Sequence, residues 1–561
     1  MLRILYAAVL WLLLLLPVLA RFGLAAVRRK PKVLEVVLEG HHALRHVPAP
    51  FFARSRAGVP RRDLAYALRQ AARDPTVQTV WVRVGHLTGG FGELHALREA
   101  LVRVKAGGKR VVATLNHGDT RALFLASVAD EIIASPHITL DARGMALEMT
   151  FFGGALDKAG VGLDVITAGA FKSAMEPFTR TGPSPASAEA LEALLTSLYD
   201  QVIAALGARA GRTPEAMRAA LEAGPHLASE ALALGLVDTL LEEEAVPPHL
   251  GCGEKGPALR LRVESYPGPA RPWPRWRYRR PRLALVEVHG NIRDGRTDDE
   301  EPEPGANANA VCAALDRARR NKRIRGVLLH VDSRGGSATA SERMWRSVKA
   351  LAAEKPVIAC MGDYAASGGY YVACAAHGIV AAPGTLTGSI GVISAKPVAA
   401  GLFEKLGITH ARFERGENST MYSPTARFTE GQRAAMERTI RHFYGLFLSR
   451  VAEGRHKTTE DIAPVAEGRV WTGAQALERG LIDRLGDEEA ALVWLRERTG
   501  LEANPDAPLL VITPRMPWRK RLMPRLAGQA GLFGQFAELA SFTRLAAESP
   551  TLAFSPWRWG A

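Results

Sequence analysis

Cysteine is scarce in this chain: there are four in 561 residues (Cys252, Cys312, Cys360, Cys374), none in a C-x-x-C pair and none beside a histidine at metal-ligand spacing. That excludes a zinc ribbon, an iron–sulfur cluster and a dithiol redox motif, and the four read as buried thiols. No G-x-x-x-x-G-K-[ST] occurs, so there is no phosphate-cradling P-loop. Acidic residues are outnumbered 57 to 72, giving a net charge of +15. The arginines behind that excess are spread along the chain without a nucleic-acid-binding module, and no nucleic-acid partner is expected. A histidine fit to act as a base is also missing. The 15 histidines are scattered without a paired acid, and His377 falls in a segment read as helical.

One long apolar run is present, the 17 residues from Ile4 to Ala20, bounded by Arg3 and Arg21. Its length is near the lower limit for a membrane span. An uncleaved anchor is favoured over a cleaved signal peptide ending at Pro17-Val18-Leu19-Ala20. The apolar stretch is long for a signal peptide, and five basic residues (Arg21, Arg28, Arg29, Lys30, Lys32) follow it. Counted by the positive-inside rule, those charges place the globular part on the cytoplasmic face.

A chain of this length divides into two units, and the sequence supplies the division as an internal repeat. Pro136, Gly160 and Gly169 recur 247 residues later as Pro383, Gly407 and Gly416. Each copy opens on a short apolar strand ending in glycine, VLEVVLEG to Gly40 and LALVEVHG to Gly290. Strand and helix signals then alternate. In the first copy they are helix Arg62–Arg73, strand Val77–Val84, helix Glu93–Lys105 and strand Val111–Leu115. In the second they are helix Asn307–Arg320, strand Arg325–Val331, helix Ser341–Glu354 and strand Val357–Met361. This alternation predicts an α/β fold of βαβ units with parallel sheet. Each copy closes on a shared turn, Gly235-Leu236-Val237-Asp238 and Gly480-Leu481-Ile482-Asp483.

The expected organisation is an anchor and basic flank (1–32), a first repeat (33–265), a Pro/Arg/Trp connector (266–282), a second repeat (283–500) and a basic, aromatic extension (501–561). The connector YPGPARPWPRWRYRRPR reads as an extended linker, with contact to lipid headgroups as the alternative. Asp298-Asp299-Glu300-Glu301 reads as solvated. The extension carries Trp518-Arg519-Lys520-Arg521, an apolar stretch from Leu532 to Phe542, and Trp557-Arg558-Trp559. It is either an interfacial membrane segment or a helical appendage packed on its own domain or a neighbouring subunit.

The two copies differ where chemistry is concerned. Ser367 lies in a small-residue elbow, GDYAASGGYY, opposite Thr120 of the first copy; Lys172, in AGAFKSAMEPFT, lies opposite Ser419 of the second. Small residues let the backbone turn sharply at Ser367, and a helix starting there would aim N–H groups at an oxyanion. Upstream, the strand RGVLLHV gives way to Asp332-Ser333-Arg334-Gly335-Gly336-Ser337, a glycine pair where ligands approach parallel sheets. A serine nucleophile needs a base. Lys172 serves only if burial away from carboxylates lowers its pKa, and Gly169, Ala170, Phe171, Ala174 and Met175 offer an apolar shell, with Glu176 directed elsewhere.

These segments together resemble the signal peptide peptidase A proteases in their long, internally duplicated form. The second copy matches in DSRGGSATASE, GDYAASGGYYVA, PGTLTGSIGVI and GRVWTGAQALERGLIDRLG, the first in FKSAMEPFTR, and the likeness covers about residues 33–495. The resemblance implies a crotonase or caseinolytic-protease kind of fold in each copy. It makes Ser367 the nucleophile and Lys172 the general base, with Gly336 and Gly368 as oxyanion donors and Ser389 orienting the lysine. It also implies no cofactor or metal, a homotetramer, and apolar peptide substrates such as cleaved signal peptides at the bacterial inner membrane, with the catalytic part extracytoplasmic. Arg334 departs from the pattern, standing where the family carries proline, and the N-terminal charges fit an extracytoplasmic site poorly. Two competing readings are an inactive membrane scaffold of the same fold and a crotonase-like acyl-thioester enzyme; fold alone does not choose between chemistries.

Overall fold

The computed structural model describes residues 33–41, 60–116, 118–252, 260–263, 266, 282–295, 305–501, 509–512 and 552–554. The Ile4–Ala20 run, most of the connector, the acidic stretch Asp298–Glu301, the Leu532–Phe542 stretch and the extension's tryptophans lie outside them. Among the described residues no helix is long and apolar enough to cross a membrane.

The first half is built on four parallel strands, β1 (Val33–Gly40), β2 (Thr79–Leu87), β3 (Arg110–Leu115) and β4 (Glu131–Ala134). Helices α1 (Arg61–Arg73), α2 (Phe91–Ala106) and α3 (Thr120–Ala126) provide the crossovers. The register runs Val36 to Val82 to Ala113 to Ile132, and short strands Arg260–Arg262 and Thr239–Leu240 close the two edges. In α1 the buried positions are Leu64, Ala67, Leu68 and Ala71, a spacing of three and four that keeps one face on the sheet. Strands covered on both faces read as near-continuous apolar runs, which is why VLEVVLEG and TVWVRV were legible as buried parallel strands. After this sheet come β5 (Gly162–Ala168) and the long helix α4 (Pro185–Ala210).

The second half repeats the plan. Strands β6 (Arg282–His289), β7 (Asn291–Arg293), β8 (Ile324–Ser333), β9 (Gly335–Ser337) and β10 (Val357–Ala366) alternate with helices α5 (Ala308–Arg320) and α6 (Ala338–Ala352). Arg282, counted with the connector, is the first residue of β6. The parallel register runs Val286 to Leu329 to Ala359 and on to Ile379 in a neighbouring strand. The strand expected to stop at Met361 continues to Ala366, and α6 starts at Ala338, where the Ser337 hydroxyl caps it by accepting from Ala340 N. Next come α7 (Gly368–Ala373), β11 (Leu386–Gly388), β12 (Val392–Val398) and the long α8 (Glu430–Arg455).

His377 is not helical, since α7 ends at Ala373; its ring nitrogen accepts from Val357 N at 3.1 Å. Of the cysteines, Cys252, Cys360 and Cys374 are buried, whereas Cys312 is partly exposed, and all four are free.

The two halves are joined at several points. Asp363, at the end of the second sheet, caps α2 of the first half by accepting from Gly90 N at 3.0 Å and Glu93 N at 2.6 Å. Burial, with Asp332 and Glu93 close by, pushes the Asp363 carboxyl up to about 6. Arg62 pairs with Glu488 at 2.7 Å, and Ser197 of α4 meets Thr472 at 2.9 Å. The decisive junction is a third sheet. Its order is Gly305–Asn307, β7, β9, then β13 (Leu552–Phe554) from the far end of the chain, β12 and β5. The extension, read as helix or membrane surface, thus contributes a strand.

Candidate active site

The site forms where strand β5 leaves the first half and runs antiparallel along β12 of the second. Seven consecutive pairs, from Ala168 opposite Val392 to Gly162 opposite Val398, fix the register. The chain then turns at Gly169 (φ +112), where a Cβ would lie 2.6 Å from the backbone of Glu467. Only glycine fits that turn. Beyond it, Ala170 N donates to the Glu467 carboxylate at 2.9 Å and Phe171 N to the Glu467 carbonyl at 2.7 Å. A Cβ on Gly468 would fall within 2.8 Å of Lys172 backbone atoms. The lysine-bearing turn is therefore clamped by a loop of the opposite half, which sequence reasoning did not single out. The signal available was Gly468, the first residue of the GRVWTG motif.

Ser367 is delivered from the other side. It follows β10 and precedes α7, with φ 55 and ψ −118, a conformation rare for any residue but glycine. Two backbone bonds hold it there: Ser367 N donates to Gly388 O at 2.8 Å, and Tyr371 N donates to Ser367 O at 2.8 Å. A Cβ on Gly369 would lie 2.6 Å from Ser333 O, so the small residues of the elbow allow α7 to start against the end of β8. Gly368 N is in the first turn of α7, where N–H groups have no intrahelical acceptor.

At the junction Lys172 Nζ lies 2.8 Å from Ser367 Oγ, 2.9 Å from Ser389 Oγ and 3.0 Å from Ser389 O. All three residues are buried, Ser367 completely. Burial pushes the Lys172 amine well below its ordinary value, and no carboxylate offsets that effect. Glu176, four residues on, accepts instead from Ser184 N at 2.9 Å. Ala174 and Met175 pack with Ile393 and Ala395 in a small apolar cluster. A neutral amine has two N–H groups and one lone pair. With the hydrogens directed to the two Ser389 oxygens, the lone pair faces the Ser367 hydroxyl, the arrangement required to take its proton.

Gly335 and Gly336 form β9 between the end of β8 and the start of α6. Gly336 has φ +152, and a Cβ there would sit 2.1 Å from Ile292 O. Arg334 lays its guanidinium over the Tyr364 ring, 4.6 Å from the centroid. The counterpart positions are chemically empty of this pairing. Thr120 is buried and donates to Gly144 O at 2.9 Å, while Ser419 is exposed and donates to Gly416 O at 2.8 Å.

Among known proteins, the chain is 28% identical to "Serine protease SPPA, chloroplastic" of Arabidopsis thaliana over 490 residues, covering 86% of this chain and 72% of that one. It is 30% identical to "Protease 4" of Salmonella typhi over 462 residues, covering 78% of this chain and 72% of that one. Among solved structures, a mutant ClpP1 of Listeria monocytogenes overlaps 37% of this chain and 94% of its own, at 12% identity and a TM-score of 0.24. The family "Peptidase family S49" matches residues 103–249 and 349–502, taking in most of both repeats. With more than half of its length inside that match, the chain belongs to peptidase family S49 and is a serine protease.

Proposed function

We propose that Ser367 is the nucleophile and Lys172 the general base of a peptidase acting on extended apolar peptides such as cleaved signal peptides. The observation that carries this reading is the 2.8 Å approach of the Lys172 amine to the Ser367 hydroxyl, in a pocket without a carboxylate. In the first step Lys172 takes the Ser367 proton as Oγ attacks the peptide carbonyl. The negative charge on the carbonyl oxygen is met by the backbone N–H groups of Gly336 and Gly368. Protonated Lys172 gives its proton to the leaving amine, and the acyl-enzyme is resolved by a water that Lys172 deprotonates in turn. Ser389 positions the amine throughout. Each half resembles the crotonase or caseinolytic-protease unit, and the N-terminal apolar run would hold the enzyme at a membrane.

A pH profile tests the base directly. A buried lysine is active only when neutral, so kcat/KM on a fluorogenic apolar peptide is expected to rise with pH through the depressed lysine pKa and to be lost as pH falls below it. The midpoint should lie well below the ordinary 10.5. A profile with no acid loss, down to the pH at which the protein unfolds, would remove Lys172 from the role.

The same repeat supports a head-to-tail oligomer. The offset of 247 residues carries β5 onto residues 409–415 and β12 back onto residues 145–151. Both segments lie outside every sheet and every helix, and Phe413 in the first of them is 94% exposed. Within one chain β5 pairs with β12; pairing of 409–415 with 145–151 of a second copy would repeat that junction and close into a ring, the tetramer that the sequence resemblance implies. Phe413→Asp is expected to shift the mass measured by light scattering from oligomer to monomer, and an unchanged mass would refute this interface.

A further inference from the structure

Three of the four described non-glycine residues with positive φ meet around the Lys172 amine: Ser367 (φ 55), Ser389 (φ 50) and Glu467 (φ 51). Backbone of this kind costs about 1–3 kcal/mol and persists where the surroundings over-determine it, most often at working sites. Ser367 and Ser389 hydrogen-bond the amine directly. Glu467 does not, and its conformation calls for another reason.

The polar groups of Glu467 are committed to its neighbours. Its carbonyl accepts from Phe171 N at 2.7 Å and one carboxylate oxygen from Ala170 N at 2.9 Å. The other carboxylate oxygen accepts from the Tyr444 hydroxyl at 3.0 Å, and that hydroxyl accepts in turn from Glu467 N at 3.3 Å. Tyr444 lies on α8, whose Met436 and Ile440 share an apolar cluster with Ile166 of β5 and Val392 of β12. The clamp is thus anchored on the strand pair that joins the two halves. The next two residues hold the opposite side of the amine: Gly468 N donates to Ile390 O at 2.8 Å, and Ser389 N donates to Arg469 O at 2.7 Å. Arg469 also lies over the Phe171 ring, 4.8 Å from its centroid, and pairs with Glu189 of α4 at 2.5 Å. Residues 467–469 therefore bind both the turn that carries Lys172 and the turn that carries Ser389, and they set the distance between them.

We propose that Glu467 is the positioning residue of the general base: its carboxylate, fixed by Tyr444, holds the Ala170–Phe171 turn so that the Lys172 amine meets Ser367 and Ser389 together; this rests on the reading of Ser367 and Lys172 as the reacting pair. Glu467 exchanges no proton in the reaction and acts only through the backbone it holds. Burial alone accounts for the depressed lysine pKa, so removing the Glu467 charge does not by itself move it; loosening the turn does, by admitting water to the amine.

The test uses the full chain with Glu467→Gly, which removes the carboxylate and suits the positive φ. On a fluorogenic apolar peptide kcat is expected to fall about a hundredfold with KM within about threefold of the parent. The acid loss of kcat/KM should move upward by about one pH unit, a shift that simple destabilisation does not produce. Glu467→Gln keeps an oxygen for Ala170 N and an amide for the Tyr444 hydroxyl, and it should restore the midpoint and bring kcat within about fivefold of the parent. A midpoint that stays in place, a kcat of Glu467→Gly within about threefold of the parent, or no rescue by glutamine overturns the proposal. Should Glu467→Gly fail to fold by near-UV circular dichroism, Tyr444→Phe, which loses only a hydroxyl, decides: its midpoint moves upward if the proposal holds and stays in place if it does not. If no form of the enzyme cleaves peptides, the reading of the reacting pair fails, and the pH dependence of Lys172 acetylation by acetic anhydride, read by mass spectrometry, still decides the placement. A midpoint higher in Glu467→Gly than in the parent supports it, and equal midpoints overturn it.

Discussion

Lys172→Met is expected to abolish turnover, lowering kcat by about ten-thousandfold or more, while leaving the protein folded and at least as stable as the parent. Methionine matches the length and volume of the lysine stem without its amine. The loss is large because a nucleophile without its base is not half as effective but nearly inert. For the same reason the loss should not be additive: Ser367→Ala alone, Lys172→Met alone and the double variant should fall to about the same residual rate. Stability supplies the second readout. Burial lowers the lysine pKa in the folded state, so between that value and the ordinary 10.5 the unfolded chain holds a proton that the folded chain has given up. Stability of the parent should therefore rise with pH across this window, and Lys172→Met should remove that slope. Substantial turnover in the variant, or a pH slope that survives it, would place the base elsewhere.

Gly336→Ala is expected to lower kcat by about a hundredfold to a thousandfold, the effect of losing one oxyanion donor. Two features of the position make alanine intolerable there. The residue has φ +152, and the added Cβ would lie 2.1 Å from Ile292 O, a backbone atom that cannot swing aside. Strand β9 must shift, and the N–H offered to the carbonyl oxygen shifts with it. Because a ground-state carbonyl needs that donor less than an oxyanion does, KM should change much less than kcat. Near-UV circular dichroism would check that the cores of both halves survive. A kcat within about tenfold of the parent would mean that the donor is another group.

Much of the architecture was legible in the chain because parallel sheets covered on both faces impose apolar runs, and the helices between them impose spacings of three and four. VLEVVLEG, RGVLLHV and the α1 pattern followed from those constraints alone. Ends were less legible. β10 extends five residues past its expected stop because Gly362 through Ala366 continue the strand to the elbow, where pairing to β11 takes over from the core strands. His377 was misplaced because small apolar residues after Ser367 read as a longer helix than the six residues that form.

The site divides in the same way. Sequence alone determined that there are two copies, that one kept a lysine and the other a serine in a small-residue elbow, and that both glycine pairs survive; these are properties of single segments, fixed by residue type and spacing. Whether the lysine reaches the serine could not be decided there, because 195 residues separate them and the repeat relates equivalent positions of the two copies without saying which segments touch. The tertiary structure decided it through the β5–β12 pairing, the Glu467–Gly468 clamp and the positive φ of Ser367, each a contact between segments remote in sequence. Depression of the lysine pKa likewise belongs to the fold, since burial at the junction of the two halves takes the amine out of water.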